Sequence, residues 1–345
     1  MKNLTFFFCL LTLGLFSQSG EPLELIDIKQ LSCAKKFELS GLAYSHKHQF
    51  LAIADNLAAV YKIDTSAWKT DIYIKLNHHK KYKNFDIEGI DICNEEIYIV
   101  DEKHNLPFRV QTNGEIQALY LDYSAIDKDN KLKPEQWGNA GFEGIAVDCA
   151  HNLMYLTKER KSSRLKDSRF ILTVSLSGTL AVLPYDFEKE RNDFSNIEYL
   201  NSGGENYIYE LCQTEYKAIS RYNFDKNKEK SDFADIKYLY LGDENYLYVL
   251  CRNEYKIEKI NAKTFSRSSF SFKKYFVDAA GRQSLYEAKQ TIYGIAEALL
   301  ILENEIWIGV DNNFRSVNKN HALVKKYKLS GKSPAILRFK RPENF

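Results

Sequence analysis

Two short stretches, "DIEGI" at 86–90 and "GFEGIAV" at 141–147, place a glutamate beside a glycine at the head of an apolar run. Laying the chain against itself puts Ser40, Glu88, Glu143, Glu198, Lys237 and Glu297 in one column, each between apolar neighbours. Carboxylates gathered from several segments repel one another unless something neutralises them. A hard cation held by oxygen ligands is the simplest neutraliser, and Ca²⁺ is the expected ion. The expected metal ligands are therefore Glu88, Glu143, Glu198 and Glu297. The opposing expectation is that these glutamates accept hydrogen bonds from neighbouring backbone amides, with Lys237 as counter-charge.

A second column follows one strand later: Asn56, Glu102, Glu159, Cys212, Cys251 and Asp311, with Asp55 and Asp101 alongside. Glu102, Glu159 and Asp311 are its candidate catalytic acids and bases. Arg160, Arg252, Arg315 and Asn312 come close behind and are candidates for binding an anionic substrate group. Together the columns suit metal-assisted hydrolysis, in which a cation binds the substrate oxygen and activates water while a rim carboxylate takes the proton. Serine-nucleophile chemistry has no support, because no G-x-S-x-G elbow is present. No H-E-x-x-H pair occurs, and His78-His79 sit in a lysine-rich polar stretch.

The elements that must position these residues repeat. Units begin at "FELSGLAYSHKHQFLAIADN" (37), "NFDIEGIDICNEEIYIVDE" (84), "NAGFEGIAVDCAHNLMYLTKE" (139), "FSNIEYLNSGGENYIYELC" (194), "FADIKYLYLGDENYLYVLC" (233) and "IYGIAEALLILENEIWIGVDNN" (292). Inside each unit apolar residues alternate or run for four to six positions between turn residues, which is strand patterning. A repeat of about fifty residues with this pattern predicts a six-bladed β-propeller of four-stranded antiparallel blades over residues 20–345. A two-sheet sandwich is the alternative. The ends "LELIDIKQL" (23–31) and "PAILRFKR" (334–341) are both strand-like, and one or both are expected to complete a shared blade and close the ring.

Composition narrows the function classes. Lys+Arg 48 against Asp+Glu 46 leaves no basic arm, so a nucleic-acid partner is not expected. Lys2, the apolar run "LTFFFCLLTLGLF" and the small polar "SQSG" read as a signal peptide over 1–19, with cleavage near Ser19 and Gly20. No later run is long enough to span a bilayer, so an exported, periplasmic or secreted monomer is expected. Outside the leader, Cys33, Cys93, Cys149, Cys212 and Cys251 show no C-x-x-C spacing. Cys93 and Cys149 fall at equivalent places in adjacent units, which should lie too far apart to bridge, so free thiols are expected.

On "LSGLAYSHKHQFLAIADN" (39–56), "DIEGIDICNEEIYIVDE" (86–102), "GFEGIAVDCAHNLMYLTKE" (141–159) and "IWIGVDNNF" (306–314), the chain resembles the phytase-like propellers described as having esterase-like activity. It is similar also to the SdiA-regulated propellers. The resemblance implies an exported propeller with Ca²⁺ and phosphoester or carboxylic ester hydrolysis, with regucalcin-like lactone hydrolysis as a variant. Ser40 and Lys237 interrupt the acidic column, and the dense aspartate clusters of calcium-dependent propeller phytases are not matched. The rival class is a non-enzymatic module whose propeller face receives a protein or an envelope glycan, with tyrosines supplying contact area.

Overall fold

In the computed structural model the strands assemble into five sheets arranged around an axis, plus one separate hairpin. The structure describes residues 20–77, 84–123, 132–159, 170–176, 197–202, 205–210, 216–223, 232–241, 243–252, 254–264, 266–276, 294–311, 317 and 319–345; over 197–223 it describes the backbone alone. The innermost strands, in ring order, are Leu39–Ser45 (blade I), Ile87–Cys93 (II), Phe142–Asp148 (III), Phe233–Leu241 (IV) and Ile295–Ile301 (V). Each runs antiparallel to its successor, as in Gln49–Ala54 or Glu96–Asp101, and the sheet continues outward by hairpins. The connection at Asn94 and Glu95 is a two-residue turn with both φ positive (48° and 63°), the turn that matches strand twist.

The propeller architecture expected from the repeats is present, but with five blades instead of six. The unit expected at 194 is not a blade. Among the described residues Ile197–Ser202 pairs only with Glu205–Glu210, in a two-stranded sheet of its own. The strand that follows, Tyr216–Asn223, pairs with Phe170–Ser175 and completes blade III. Packing supports the same count. One apolar cluster fills each of the five interfaces, from Ile53 and Ile90 between blades I and II to Leu39 and Ile336 between V and I. The sandwich alternative is excluded by this radial arrangement.

Ring closure follows the expectation. Glu24–Gln30 is the outermost strand of blade V, antiparallel to Ala335–Lys340. The N-terminal strand Glu24–Gln30 and the last strand thus share a sheet. A shorter strand, Glu21–Pro22, adds in parallel to the edge of blade IV at Arg267–Ser271. Among the described residues Ala322–Tyr327 is the one α-helix, and no helix is long and apolar enough to cross a membrane.

The expectation of free thiols fails at one pair. Cys93 and Cys149 form a disulfide with their Cα atoms 5.6 Å apart. Cys93 ends the inner strand of blade II and Cys149 immediately follows that of blade III. Equivalent positions diverge toward the blade edges, but at the inner strands they lie within bridging range. Among the described residues Cys33 and buried Cys251 form no disulfide, and Cys212 lies outside the described residues.

Candidate functional site

The five inner strands share one irregularity, and it creates the site. Each has a β-bulge at its start, between Leu39 and Gly41, Ile87 and Gly89, Phe142 and Gly144, Phe233 and Asp235, and Ala296 and Ala298. The extra residues are Ser40, Glu88, Glu143, Ala234 and Glu297. A bulge breaks the pairing and re-aims one side chain; here the re-aimed position is the glutamate column. The glycine after it lets the next inner strand approach. A Cβ on Gly89 would stand 2.9 Å from the Ile145 nitrogen, and one on Gly144 2.8 Å from that of Ile236.

The register corrects two memberships of the first column. In blade IV the equivalent of Glu88 is Ala234, and Lys237 lies three residues deeper along the strand. Glu198 stands on the hairpin strand Ile197–Ser202, which is not an inner strand of a blade. Lys237 donates from Nζ to the Ile90 carbonyl of blade II at 2.8 Å and lies 3.5 Å from Asp235, crossing the channel. Asp91, at the same depth on blade II, accepts from the Val147 amide at 2.7 Å. Below the mouth the channel is thus crossed by Lys237, with buried Asp235 and the Asp91 carboxylate beside it. Burial pushes Asp235 up to about 7, against the pull of Lys237 and of the Leu299 and Ile236 amides.

The second column is set by a repeated hydrogen bond. In blades I to IV the residue following the second strand donates its amide to the carbonyl two residues before the bulge: Asp55 to Glu38 (3.1 Å), Glu102 to Asp86 (2.8 Å), Glu159 to Gly141 (2.9 Å) and Arg252 to Asp232 (3.0 Å). The column is therefore Asp55, Glu102, Glu159 and Arg252, one residue off the sequence alignment at Asn56 and Cys251. Asp311 ends the second strand of blade V, one place earlier. Asn312, Arg160 and Arg315 lie outside the described residues.

Both columns open on one cavity of about 240 Å³ at the channel mouth. Glu88, Glu143 and Glu297 line it from the first column, and Asp55, Glu102, Glu159 and Asp311 from the region of the second. Asp86, Asn139 and Arg252 complete its polar wall. Asp86 was missed by the alignment, although "DIE" places it two residues before Glu88, on the same face of a strand. Buried Asp101 fixes it: one carboxylate oxygen accepts the Asp86 amide at 2.6 Å, and the other the His104 amide at 2.8 Å and ring Nδ1 at 2.5 Å.

The acids fall into two groups whose ligand oxygens lie within 4.8 Å of one another: Asp55, Asp86 and Glu88, and Glu102, Glu143 and Glu159. Arg252, expected to bind substrate, is turned to the second group and to blade V. Its Nη1 donates to both Glu297 oxygens at 2.8 Å, and its Nη2 donates to Glu159 and lies 3.4 Å from Glu143. Glu102 accepts from the Gly141 amide at 3.0 Å. Burial, then the charges of Asp86 and Asp55, hold Glu88 well above the usual carboxylate range. Burial and the neighbouring Glu159 do the same to Glu143, with Arg252 pulling the other way. Asp55 is pushed up to about 8 by burial and by Glu38, Asp86 and Asp311.

Residues 24–183 match the family model described as SdiA-regulated, a propeller family, in agreement with the second of the two resemblances; the phytase-like family does not appear. No curated protein matches the sequence. Solved structures with a likeness include a streptogramin B lyase (12% identity, TM-score 0.42, covering 92% of this chain and 88% of that one). Others are a gluconolactonase from Xanthomonas campestris (8%, 0.41, 93% and 96%) and a calcium-binding protein, regucalcin, from Agrobacterium tumefaciens (9%, 0.41, 89% and 78%). Nothing about chemistry follows from likeness at this level.

Proposed function

We propose that this protein is a divalent-cation-binding propeller, with Ca²⁺ as the ion, whose loaded mouth binds and hydrolyses an ester or phosphoester. The observation that supports it is convergence: carboxylates from four of the blades line one small cavity, and among its described lining residues Arg252 is the one cation. An all-oxygen donor set suits a hard cation. Asp55, Asp86 and Glu88 would hold it, since Arg252 is paired with Glu143, Glu159 and Glu297. Bound there, the ion would polarise a substrate oxygen and lower the pKa of water. The protein's own groups do the rest. Asp101 fixes the backbone of Asp86, and Asp55 holds a proton near neutrality that an entering cation displaces. Glu102, Glu159 and Asp311 stand on the wall as proton acceptors.

A second reading rests on the obstructed channel. Lys237 reaches across from blade IV to the Ile90 carbonyl of blade II beneath the mouth, and an obstructed channel suits a module whose propeller face binds a protein or envelope glycan. Either role fits an exported protein. The leader-like N-terminus and the Cys93–Cys149 bridge both suit an oxidising compartment, periplasmic or extracellular. Calorimetric titration with Ca²⁺, followed by a panel of phosphoesters and lactones with and without chelator, tests the proposal. Glu88→Gln should weaken Ca²⁺ binding at least tenfold, and turnover should vanish with chelator. No Ca²⁺ binding by the wild type overturns the cation reading, whereas binding without turnover favours the module.

A further inference from the structure

Blade IV departs from its neighbours at both site positions, and the departures compensate. Where three other inner strands carry Glu88, Glu143 and Glu297 at the bulge, blade IV has Ala234. Where three other blades carry Asp55, Glu102 and Glu159, bonded by the same amide-to-carbonyl contact, blade IV has Arg252. One position has lost an acid and the other has exchanged an acid for a cation. Arg252 is 7% exposed, and its guanidinium reaches acids on both adjacent blades: Glu143 and Glu159 on blade III, Glu297 on blade V. A planar fork of five donors is suited to bridging several carboxylates at once.

From this we infer that Arg252 is the resident cation of the Glu102–Glu143–Glu159 group: a guanidinium standing where a metal ion would otherwise be required. It sets the cation count and place in the mouth, excluding metal from the side toward blades III and V and leaving the Asp55–Asp86–Glu88 side open. Arg252 is then a specificity-determining residue. It makes the mouth a one-ion site, and chemistry that needs two adjacent ions is unavailable to the native chain. The inference deepens the proposed cation-binding function and rests on that reading of the mouth, but it concerns a difference between variants, so the two can fail separately.

The test is Ca²⁺ calorimetry on the full mature chain as wild type, Arg252→Gln and Arg252→Lys. Arg252→Gln should bind one more equivalent of Ca²⁺ than the wild type, and Arg252→Lys, which keeps the charge, should bind no more. A wild type that binds none while Arg252→Gln binds one removes the proposed function and, with it, the open Asp55–Asp86–Glu88 site, but upholds Arg252 as the resident cation of the Glu102–Glu143–Glu159 group. An unchanged stoichiometry in folded Arg252→Gln overturns it. Should Arg252→Gln fail to fold in chelator, refolding is repeated with Ca²⁺ alone. Recovery by the ion that the wild type does not need supports the inference, and failure in both conditions overturns it.

Discussion

At the scale of single residues, the mouth is governed by where protons and cations offset its acids. Asp55 is raised to about 8, far above the ~3.9 of an unfolded aspartate. The folded state therefore binds this proton more tightly than the unfolded chain does. Its contribution to stability is complete in acid and is lost as pH rises through about 8. The ion-free protein should weaken between about pH 4 and pH 8, and Asp55→Asn, which cannot ionise, should lessen that slope by its own share, leaving the part that the raised Glu88, Glu143 and Asp235 supply. Urea melts across this range in chelator check it; a slope left unchanged by Asp55→Asn would assign the whole effect to the other acids. Ca²⁺ should reverse the trend, adding about 2.7 kcal/mol at a hundred times its dissociation constant. Much of this was legible in sequence, because the E-G pairs mark the bulge acids directly. Asp86 was readable from its period-two offset. Arg252's role was not: an arginine after a strand is ordinary until the register shows that it replaces an acid.

At the scale of elements, the bulge and the glycine behind it are a single device. The bulge turns the glutamate to the axis, and the missing side chain lets neighbouring inner strands close up. Gly144→Ala should test the second half. Its Cβ would lie 2.8 Å from the Ile236 nitrogen and 2.9 Å from the Asp235 Cα, backbone atoms that cannot rotate away. A cost of about 1–3 kcal/mol is expected, as for other overpacked sites, together with weaker Ca²⁺ binding, since Glu143 moves with the strand. A neutral Gly144→Ala in denaturant unfolding would contradict this close approach. The sequence misled at the hairpin of 197–210 for a related reason. "ENYIYELC" and "ENYLYVLC" are alike because both are antiparallel hairpin strands, and local pattern does not say how many partners a hairpin has. Blade membership depends on Tyr216–Asn223 pairing back to Phe170–Ser175, a contact that bridges a long insertion and leaves no local mark.

At the scale of the whole molecule, two ties of different kinds hold the ring. Closure is non-covalent and lies in blade V, where Glu24–Gln30 pairs with Ala335–Lys340, and the ends of the sequence showed it plainly. The second tie, Cys93–Cys149, joins the inner strands of blades II and III, which carry Glu88 and Glu143 at their other ends. Equal spacing in the repeat suggested separation, but pairing depends on distance from the axis, which a repeat length does not encode. Cross-linking residues 56 apart should remove unfolded-state entropy worth about 4 kcal/mol at 25 °C, toward the upper end of the usual 2–4. Cys93→Ser with Cys149→Ser should therefore lower stability by about 2–4 kcal/mol, and reducing agent should reproduce the loss in the wild type but leave the double variant unmoved. Because the closure in blade V remains, the variant should still fold to the same ring and still bind Ca²⁺, within a few-fold of wild type. Denaturant unfolding of both proteins, with and without reductant, separates the outcomes. A wild type indifferent to reductant would mean that the thiols are free in the protein, which would remove the bridge as an argument for an oxidising compartment.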